Sequence, residues 1–286
     1  IFFTIMEKGN DKLVKLSDVT SVKRGITTGA DDFFYVPLDN PDNIEQDFLK
    51  PVIKSPRECK SILIDPDELE LYVFSCPYDK NELKSTNALK YIEKGESTPK
   101  LMKQGGKKGQ YVTGIHNAPS LRNRKIWYDL GVRDIPDLII PCSFSDSFKV
   151  YLNRGVLANK RLYEIHCQEE DLLSLALILN SSLFFFLLEV YSSTSLGEGL
   201  LDKMVYEVEL TPILDPKHIS HLSDIEARID AIKHREIKSI FEELRVDPET
   251  SDFRDANPLP DRKAIDDVVF QALGLTAEEV KALYAG

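Results

Sequence analysis

The amino-acid sequence predicts an α+β fold, in which an irregular mixed β domain is organised on a buried central helix and is followed by a C-terminal helical appendage. Three observations support this prediction. Short apolar runs separated by clusters of Pro, Asp and Asn fill much of the first half of the 286-residue chain. An almost continuous apolar stretch covers residues 169–191, and amphipathic patterns continue from Ser220 to the end.

The first predicted elements are short strands within residues 15–79. Runs rich in β-branched and aromatic residues alternate there with turn-forming residues. The runs are FFYVP, SILID and LYVFSCP, and the turns are DNPDN, KSPRE and DPDE. A short helix, NALKYIEKGESTPKLMKQ, then leads into the basic loop KQGGKKGQY, and further strands are predicted in KIWYDL, DLIIPC and FKVYLN.

The central helix is predicted from EEDLLSLALILNSSLFFFLLEVY, which is apolar almost all round and is interrupted at Asn180-Ser181-Ser182. The longest apolar run, residues 183–188, is far shorter than the roughly 20 residues that a membrane span requires. We therefore expect a buried core helix and no transmembrane segment.

The last part of the chain is predicted to be helical. A strand-like run, MVYEVELTPIL, precedes an amphipathic segment, DIEARIDAIKHREIKSIFEEL. The next helix is predicted to stop at Gly274, and the final one to begin with Thr276 as its N-cap. These patterns divide the chain into a mixed domain, residues 1–218, and a helical tail packed on it, residues 219–286.

Charge is distributed unevenly along the chain, whose net charge is −11. Residues 100–166 contain 12 Lys and Arg against 5 Asp and Glu, whereas residues 207–286 contain 10 against 18. A local basic face can attract phosphates while an acidic remainder maintains solubility. The overall negative charge therefore does not exclude a nucleic-acid partner.

The cysteines and the first residues bear on the cellular compartment. Four widely spaced cysteines include no Cys-x-x-Cys pair, which argues against a zinc ribbon or a disulfide framework and favours a reducing compartment. The opening residues lack the features of a secretory signal, and the first residue is Ile1 rather than Met, as expected for a piece of a longer protein. We expect a cytoplasmic location.

No strong catalytic constellation occurs in the sequence. His218 and His221 lie three residues apart without a third ligand at metal spacing, so we expect no metal site. Cys167 precedes the buried helix, where a small apolar cysteine is commoner than a nucleophile. Gly197 and Gly199 are predicted to form a structural turn, because the third glycine of a dinucleotide fingerprint is missing. The chain alone is predicted not to be catalytic.

An ordered series of weak motifs covers nearly the whole chain, from about Leu16 to Tyr284. In order they are LSDVTSVKRGITTGADDFFYVP, FLKPVIKSPRE, RNRKIWYDL, DLIIPC, LALILNSSLFFFLLEVY, LGEGLL, ELTPILDP and DRKAIDDVVFQALGLTAEEVKALY. This series resembles the C-terminal target-recognition half of adenine-specific (N6) DNA methyltransferases, as found in the fused type II restriction-modification enzymes of bacteria and archaea. Its specificity comes from the order of the motifs.

The resemblance implies a division of labour between two halves of a parent protein. In that family the N-terminal half binds S-adenosylmethionine and carries an Asn/Asp-Pro-Pro-aromatic motif that holds the flipped adenine. The nearest strings here, DNPDN at Asp39 and NAPS at Asn117, lack the double proline and the aromatic residue. The implied partners are double-stranded DNA and the N-terminal methyltransferase domain of the same protein, with no cofactor in this chain. The parent would be a site-specific adenine methyltransferase, with or without an endonuclease.

Such a role requires cations for phosphates and a few side chains for base edges. The candidate DNA-binding residues are Lys23, Arg24, Lys107, Lys108, Arg122, Arg124, Lys125, Arg154, Lys160 and Arg161. Arg122 and Arg124 are expected to share one strand face and to be candidates for base reading. Lys107 and Lys108 alternatively form only a solvated loop tip. Trp127 and Tyr128 are expected in the core.

The stretch SVKRGITTGADDFFYVP connects the basic and the apolar features. Gly25 and Gly29 are predicted to form a turn between the basic pair Lys23-Arg24 and a buried aromatic strand that begins at Phe33. The turn has either a purely structural role or brings the basic pair to DNA, and the resemblance favours the second interpretation.

Two other functions stay open at this point. The specificity subunit of a multi-chain restriction system has similar recognition domains, usually two of them joined by long helices. A protein-interaction scaffold is favoured only by the acidic helical tail. Salt-dependent binding to duplex DNA separates the scaffold from the other two functions.

Overall fold

A computed structural model describes residues 1–101, 109–192, 201–221, 224–249 and 255–285. It confirms the predicted α+β class, with several small sheets and helices at the C-terminal end. The helices are Phe2–Lys8 (α1), Leu16–Val19 (α2), Asp31–Phe34 (α3), Asn87–Ser97 (α4), Leu172–Leu179 (α5), Ser182–Val190 (α6), Val205–Leu210 (α7), Ile225–Ile232 (α8), Ile240–Leu244 (α9), Pro260–Leu273 (α10) and Ala277–Tyr284 (α11). The strands are Leu13–Lys15 (β1), Ser21–Arg24 (β2), Tyr35–Pro37 (β3), Leu49–Ile53 (β4), Leu71–Phe74 (β5), Pro99–Leu101 (β6), Tyr111–Thr113 (β7), Leu138–Pro141 (β8), Ser143–Phe144 (β9), Tyr151–Leu152 (β10), Leu157–Ala158 (β11), Leu162–His166 (β12), Leu201–Asp202 (β13) and Pro212–Leu214 (β14).

Two four-stranded sheets form the centre of the mixed domain. The first has the order β10-β8-β12-β2 and is antiparallel, with Lys23 opposite Glu164 and Arg24 opposite Tyr163. The second has the order β11-β4-β5-β3, in which the β11–β4 pair is parallel and the other pairs are antiparallel. Because β2 is an edge strand, its two cations lie at the border of the first sheet.

The central apolar stretch forms α5 and α6, and the predicted interruption is confirmed. The two helices are bent by 77° at their break. The buried Asn180 side chain satisfies the break: its amide donates to the Val150 and Ala176 carbonyls at 2.9 and 2.8 Å, and its oxygen accepts from the Val150 amide at 3.0 Å. Ser181 caps α6 by accepting from the Phe184 amide. Of the described helices, none is by itself long and apolar enough to cross a membrane.

The main apolar core lies around α5 and α6 and also contains tail residues such as Ile229, Phe270 and Leu283. The tail helices α8, α10 and α11 pack against this helix pair. Arg262 of α10 donates to the Asn180 carbonyl, and Asp266 accepts from the Ser182 amide and hydroxyl at 2.7 and 2.8 Å. The tail is therefore attached at the α5–α6 break by both apolar and polar contacts. The boundary at residue 218 stays a prediction.

The two last helices follow their local sequence signals. Helix α10 ends at Gly274, whose φ of 73° is in the left-handed region that favours glycine. Thr276 caps α11 by accepting from the Glu279 amide. Both predicted boundaries are confirmed.

Three predicted strands are wrong. Phe33 and Phe34 are buried but form the helical turn α3, and the strand begins only at Tyr35. The run KIWYDL forms turns, and the Leu130 amide donates to the Ser75 hydroxyl at 2.9 Å instead of to a neighbouring strand. The run VYEVEL forms α7, because the Glu207 carboxylate accepts from the Met204 amide and starts a helix.

Two further predicted elements are shorter than expected. The amphipathic segment of the tail is divided into α8 and α9 by residues 233–239, because the Ile237 amide donates to the Lys60 carbonyl at 2.9 Å rather than within a helix. The run SILID forms an isolated bridge between Leu63 and Leu152. We call residues 233–239 the α8–α9 connector.

Candidate nucleic-acid interface

A cleft of about 760 Å³ opens beside the end of β2. Five cationic side chains from separate parts of the sequence line it, and they are Arg24, Arg57, Lys60, Lys149 and Arg161. Among the described residues that line it, Glu236 is the single acidic side chain. We call this surface the basic cleft.

One wall of the basic cleft is the loop formed by residues 55–60, which carries Arg57 and Lys60. The fully buried Tyr151 fixes this loop by donating its hydroxyl to the Pro56 carbonyl at 2.8 Å and to the Cys59 carbonyl at 3.3 Å. Both cations are exposed on a backbone that is held in place. Fixed backbone at a charged surface reduces the ordering cost of binding.

Lys149 lies deeper in the same cleft. Its ammonium group is 5.7 Å from the centroid of the Tyr151 ring, and burial lowers its pKa. A desolvated ammonium group interacts more strongly with an incoming anion than one in water. Lys149 is therefore suited to contact a phosphate at the floor of the cleft.

The opposite wall is the junction of β2 with the turn before β12. Arg24 donates from Nε to the Lys160 carbonyl at 2.9 Å, and the Lys160 amide donates to the Ile26 carbonyl at 2.9 Å. Gly25 permits this approach, because a Cβ there would lie 2.3 Å from the Asn159 carbonyl oxygen. Arg24 and Arg161 thus reach the cleft together because the two segments are in backbone contact.

The third wall is the α8–α9 connector, which comes from the helical tail. The Ile237 amide donates to the Lys60 carbonyl at 2.9 Å, and the Ile237 carbonyl accepts from the Ser147 hydroxyl at 3.5 Å. Glu236 forms a weak ion pair with Lys60, with 3.4 Å between Oε1 and Nζ. The tail therefore contributes directly to the basic cleft.

A second cleft has a volume of about 540 Å³. Its lining includes Thr27, which follows β2 in the sequence, and the cations Arg124, Lys125 and Arg133. Arg133 forms an ion pair with the buried Glu164 at 3.1 Å, and burial raises the pKa of Glu164. Lys23 is opposite Glu164 in the sheet, so a further cation lies near this ion pair.

Arg124 is held by the fold in this second cleft. Its Nη2 donates to the Thr28 carbonyl at 2.9 Å and to the Thr27 carbonyl at 3.3 Å, and its guanidinium lies 5.5 Å from the Phe34 ring centroid. Burial lowers its pKa. Arg122 is exposed in a turn, so the expectation that Arg122 and Arg124 share a strand face is wrong.

The candidate residues from the sequence are distributed over several surfaces. Arg24 and Arg161 line the basic cleft, Arg124 and Lys125 line the second cleft, and Lys23 is exposed on β2 but lines neither cleft. Lys160 is half-buried next to Arg161, whereas Arg154 is exposed in a separate turn that contains Gly155 with a φ of 85°. Gly29 has a φ of 79°, and its carbonyl accepts from the Ser120 hydroxyl at 2.7 Å. Lys107, Lys108, Gly197 and Gly199 lie outside the described residues.

Sequence reasoning missed Arg57, Lys60 and Lys149. A usable signal was present, because the loop KSPRECK carries a cation at every third position and ends next to an apolar run. The expected aromatic core was found: Tyr128 is buried, and Trp127 packs on Phe33 with ring centroids 4.6 Å apart.

Cys167 is half-buried between β12 and α5. Burial, with Asp137 and Asp171 nearby, raises the pKa of Cys167 to about 12, so its thiol stays protonated near neutral pH. No group of three or more His, Cys, Asp or Glu side chains that could hold a metal ion occurs among the described residues.

The sequence matches a known protein family, and the fold resembles those of solved structures. The family described as type II methyltransferase M.Eco57I, C-terminal domain, matches residues 4–245. The type IIG restriction endonuclease BpuSI has a similar fold, with a TM-score of 0.60 at 13% sequence identity over 99% of this chain and 32% of that one. The type IIL restriction-modification enzyme MmeI, solved in complex with DNA, has a TM-score of 0.55 at 13% identity over 95% of this chain and 35% of that one. This chain thus spans about a third of the length of each enzyme.

Proposed function

The chain belongs to the M.Eco57I C-terminal domain family of type II methyltransferases, and on that premise we propose that it is the double-stranded DNA target-recognition part of an adenine-specific DNA methyltransferase in a restriction-modification system. The observation that carries this proposal is the basic cleft. Its five cations come from four segments, and among the described residues one acidic side chain, Glu236, lines the cleft with them.

The physical basis is electrostatic. A duplex presents closely spaced phosphates, and cations that neutralise them release condensed counterions, which supplies much of the binding free energy. Arg57 and Arg161 are exposed, and no carboxylate lies within ion-pair distance of either in the described ranges. They are available for phosphate contacts, whereas Arg124 is already engaged with backbone carbonyls.

The proposal assigns the methyl transfer to another part of the protein. A methyltransferase that acts on a paired adenine has to extrude the base, and a second lobe that grips the duplex supports the opened site. We assign S-adenosylmethionine binding and the flipped adenine to a fused N-terminal methyltransferase domain, in agreement with the family and with the one-third coverage of the two similar enzymes. We also propose a cytoplasmic location, where the DNA substrate is accessible.

Salt-dependent binding to a duplex tests the proposal. We expect this chain to bind a labelled double-stranded oligonucleotide in fluorescence anisotropy, with a log–log dependence of affinity on salt whose slope is about −0.9 for each phosphate contacted. A single-stranded oligonucleotide of equal length is the control. Absence of duplex binding at low salt would contradict the proposal and favour a protein-interaction role.

A further inference from the structure

We propose that Glu236 is a specificity-determining residue of the basic cleft, and that its carboxylate accepts a hydrogen bond from the N4 amino group of a cytosine in the bound duplex. This inference rests on the proposed function, because it concerns how the same cleft distinguishes one sequence from another.

Glu236 is part of the basic cleft. It lies in the α8–α9 connector and faces the cleft that contains Arg57, Lys149 and Arg161. Its side chain is 54% exposed, and the partner in its weak ion pair, Lys60, is 74% exposed. An ion pair between two such exposed groups contributes little to stability, so little folding free energy is lost when Lys60 and Glu236 separate.

The backbone of Glu236 is fixed on both sides. On one side the Arg235 guanidinium is held by the Glu243 and Asp261 carboxylates. On the other side Ile237 is 4% exposed and its amide donates to the Lys60 carbonyl at 2.9 Å. A side chain that reads a base has to be held on a rigid backbone. The contacts of Arg235 and Ile237 give Glu236 such a backbone.

The charge of Glu236 is opposite to that of the five cations that line the cleft. A carboxylate in a cleft that binds a polyanion repels phosphates, so it lowers affinity unless it meets a hydrogen-bond donor. The donors that a duplex offers are the amino groups on base edges, and a glutamate carboxylate is the acceptor that pairs with cytosine N4 in the major groove. Lys60 is then free to move from Glu236 to a phosphate when the duplex binds.

The chain offers a matched control for Glu236. Glu242 is also a glutamate near the connector, its side chain is 58% exposed, and it pairs with an exposed lysine, Lys238, at 3.5 Å. Glu242 does not line the basic cleft. The substitutions Glu236→Gln and Glu242→Gln therefore remove the same charge from similar surroundings and differ in access to the cleft.

The experiment selects bound duplexes from a pool with randomised central base pairs and sequences them, using this chain and the two variants. We expect the parent to enrich a sequence with a C·G pair that Glu236→Gln no longer prefers. Discrimination at that pair should fall by roughly 5- to 150-fold, while Glu242→Gln keeps the parent preference. Glu236→Ala should relax the same position.

The other outcomes overturn the inference in distinguishable ways. If Glu236→Gln enriches the parent sequence with unchanged discrimination, or only tightens binding to every duplex, Glu236 is not a base reader although the proposed function stands. If the parent itself binds no duplex, the proposed function and the inference fall together.

Discussion

Arg235 and Glu243 form a two-point contact, in which Nη1 donates to Oε1 at 2.6 Å and Nη2 donates to Oε2 at 2.7 Å. The Glu243 side chain is 1% exposed and also accepts from Nε of Arg262 at 3.2 Å. Paired arginine–carboxylate contacts combine charge with fixed geometry. This contact joins the α8–α9 connector to α9, and it thereby fixes one wall of the basic cleft.

The first prediction concerns the stability that this contact provides. Arg235→Met should lower the free energy of unfolding by about 1.5–3 kcal/mol, because the buried Glu243 carboxylate loses one of its two arginine partners and keeps Arg262. Urea denaturation followed by circular dichroism measures the loss. The matched control is Lys263→Met, whose ion pair with Asp267 is exposed and should contribute under about 1 kcal/mol. Equal small effects in both variants would show that Arg235 is not needed to hold the connector.

The second prediction concerns the central helix. Leu179 is fully buried in the main core, so Leu179→Ala should cost about 2–5 kcal/mol through lost burial and a residual cavity. Leu210→Ala is the control, because Leu210 is 44% exposed and should cost under about 1 kcal/mol. Thermal or chemical unfolding measures both. A cost below half a kilocalorie for Leu179→Ala would contradict a core position.

The third prediction concerns pH. Burial lowers the pKa of Lys203 to about 7, while its ammonium group lies 4.2 Å from the Phe144 ring centroid and donates to the Leu188 carbonyl at 3.0 Å. In the unfolded chain a lysine has a pKa of about 10.4. Between these values the unfolded chain binds the extra proton, so this group makes the free energy of unfolding rise with pH by up to about 1.4 kcal/mol per unit.

The measurement is the difference in unfolding free energy between the parent and Lys203→Met as a function of pH. Between about pH 7 and 10, the unfolding free energy of the parent should rise relative to that of the variant. Below about pH 7, the difference between the two should not change with pH. Lys84→Met is the control: its side chain is exposed, and the unfolding free energy of this variant should depend on pH as that of the parent does. A flat difference throughout would mean that Lys203 titrates normally.

The fourth prediction separates a structural arginine from its neighbour. Arg124→Ala should lower the free energy of unfolding by about 1–3 kcal/mol, because the carbonyl of the buried Thr28 and that of Thr27 lose their guanidinium donor. Lys125→Ala changes the exposed side chain next to Arg124 and should stay within about 0.5 kcal/mol of the parent. If Arg124→Ala unfolds like the parent, the guanidinium is free and base reading by Arg124 regains support.

The sequence predicted those features whose causes are local. Gly274 and Thr276 mark a helix end and a helix start within three residues, and the Asn180 break interrupts an otherwise continuous apolar stretch. The run VYEVEL was misassigned because alternating apolar and acidic residues suit a strand, whereas capping by Glu207 produced a helix.

The basic cleft was predicted only in part, because long-range contacts assemble it. Arg57 and Lys60 reach it since Tyr151, more than 90 positions away, holds their loop. Lys149 belongs to a third segment, and Glu236 comes from the acidic tail. Nothing in the local pattern of any one segment shows that these residues meet.

The most direct test of DNA binding through the basic cleft is a salt titration of duplex binding by the double variant Arg57→Ala/Arg161→Ala. Both side chains are exposed, so the fold should be retained. Lys84→Ala/Lys90→Ala removes the same charge from exposed positions outside the cleft and is the control. The cleft variant should bind all duplexes more weakly, and its log–log salt slope should be shallower than that of the parent by up to about 1.8, while the control keeps the parent slope. A cleft variant that retains both the affinity and the slope of the parent would show that DNA lies on another face.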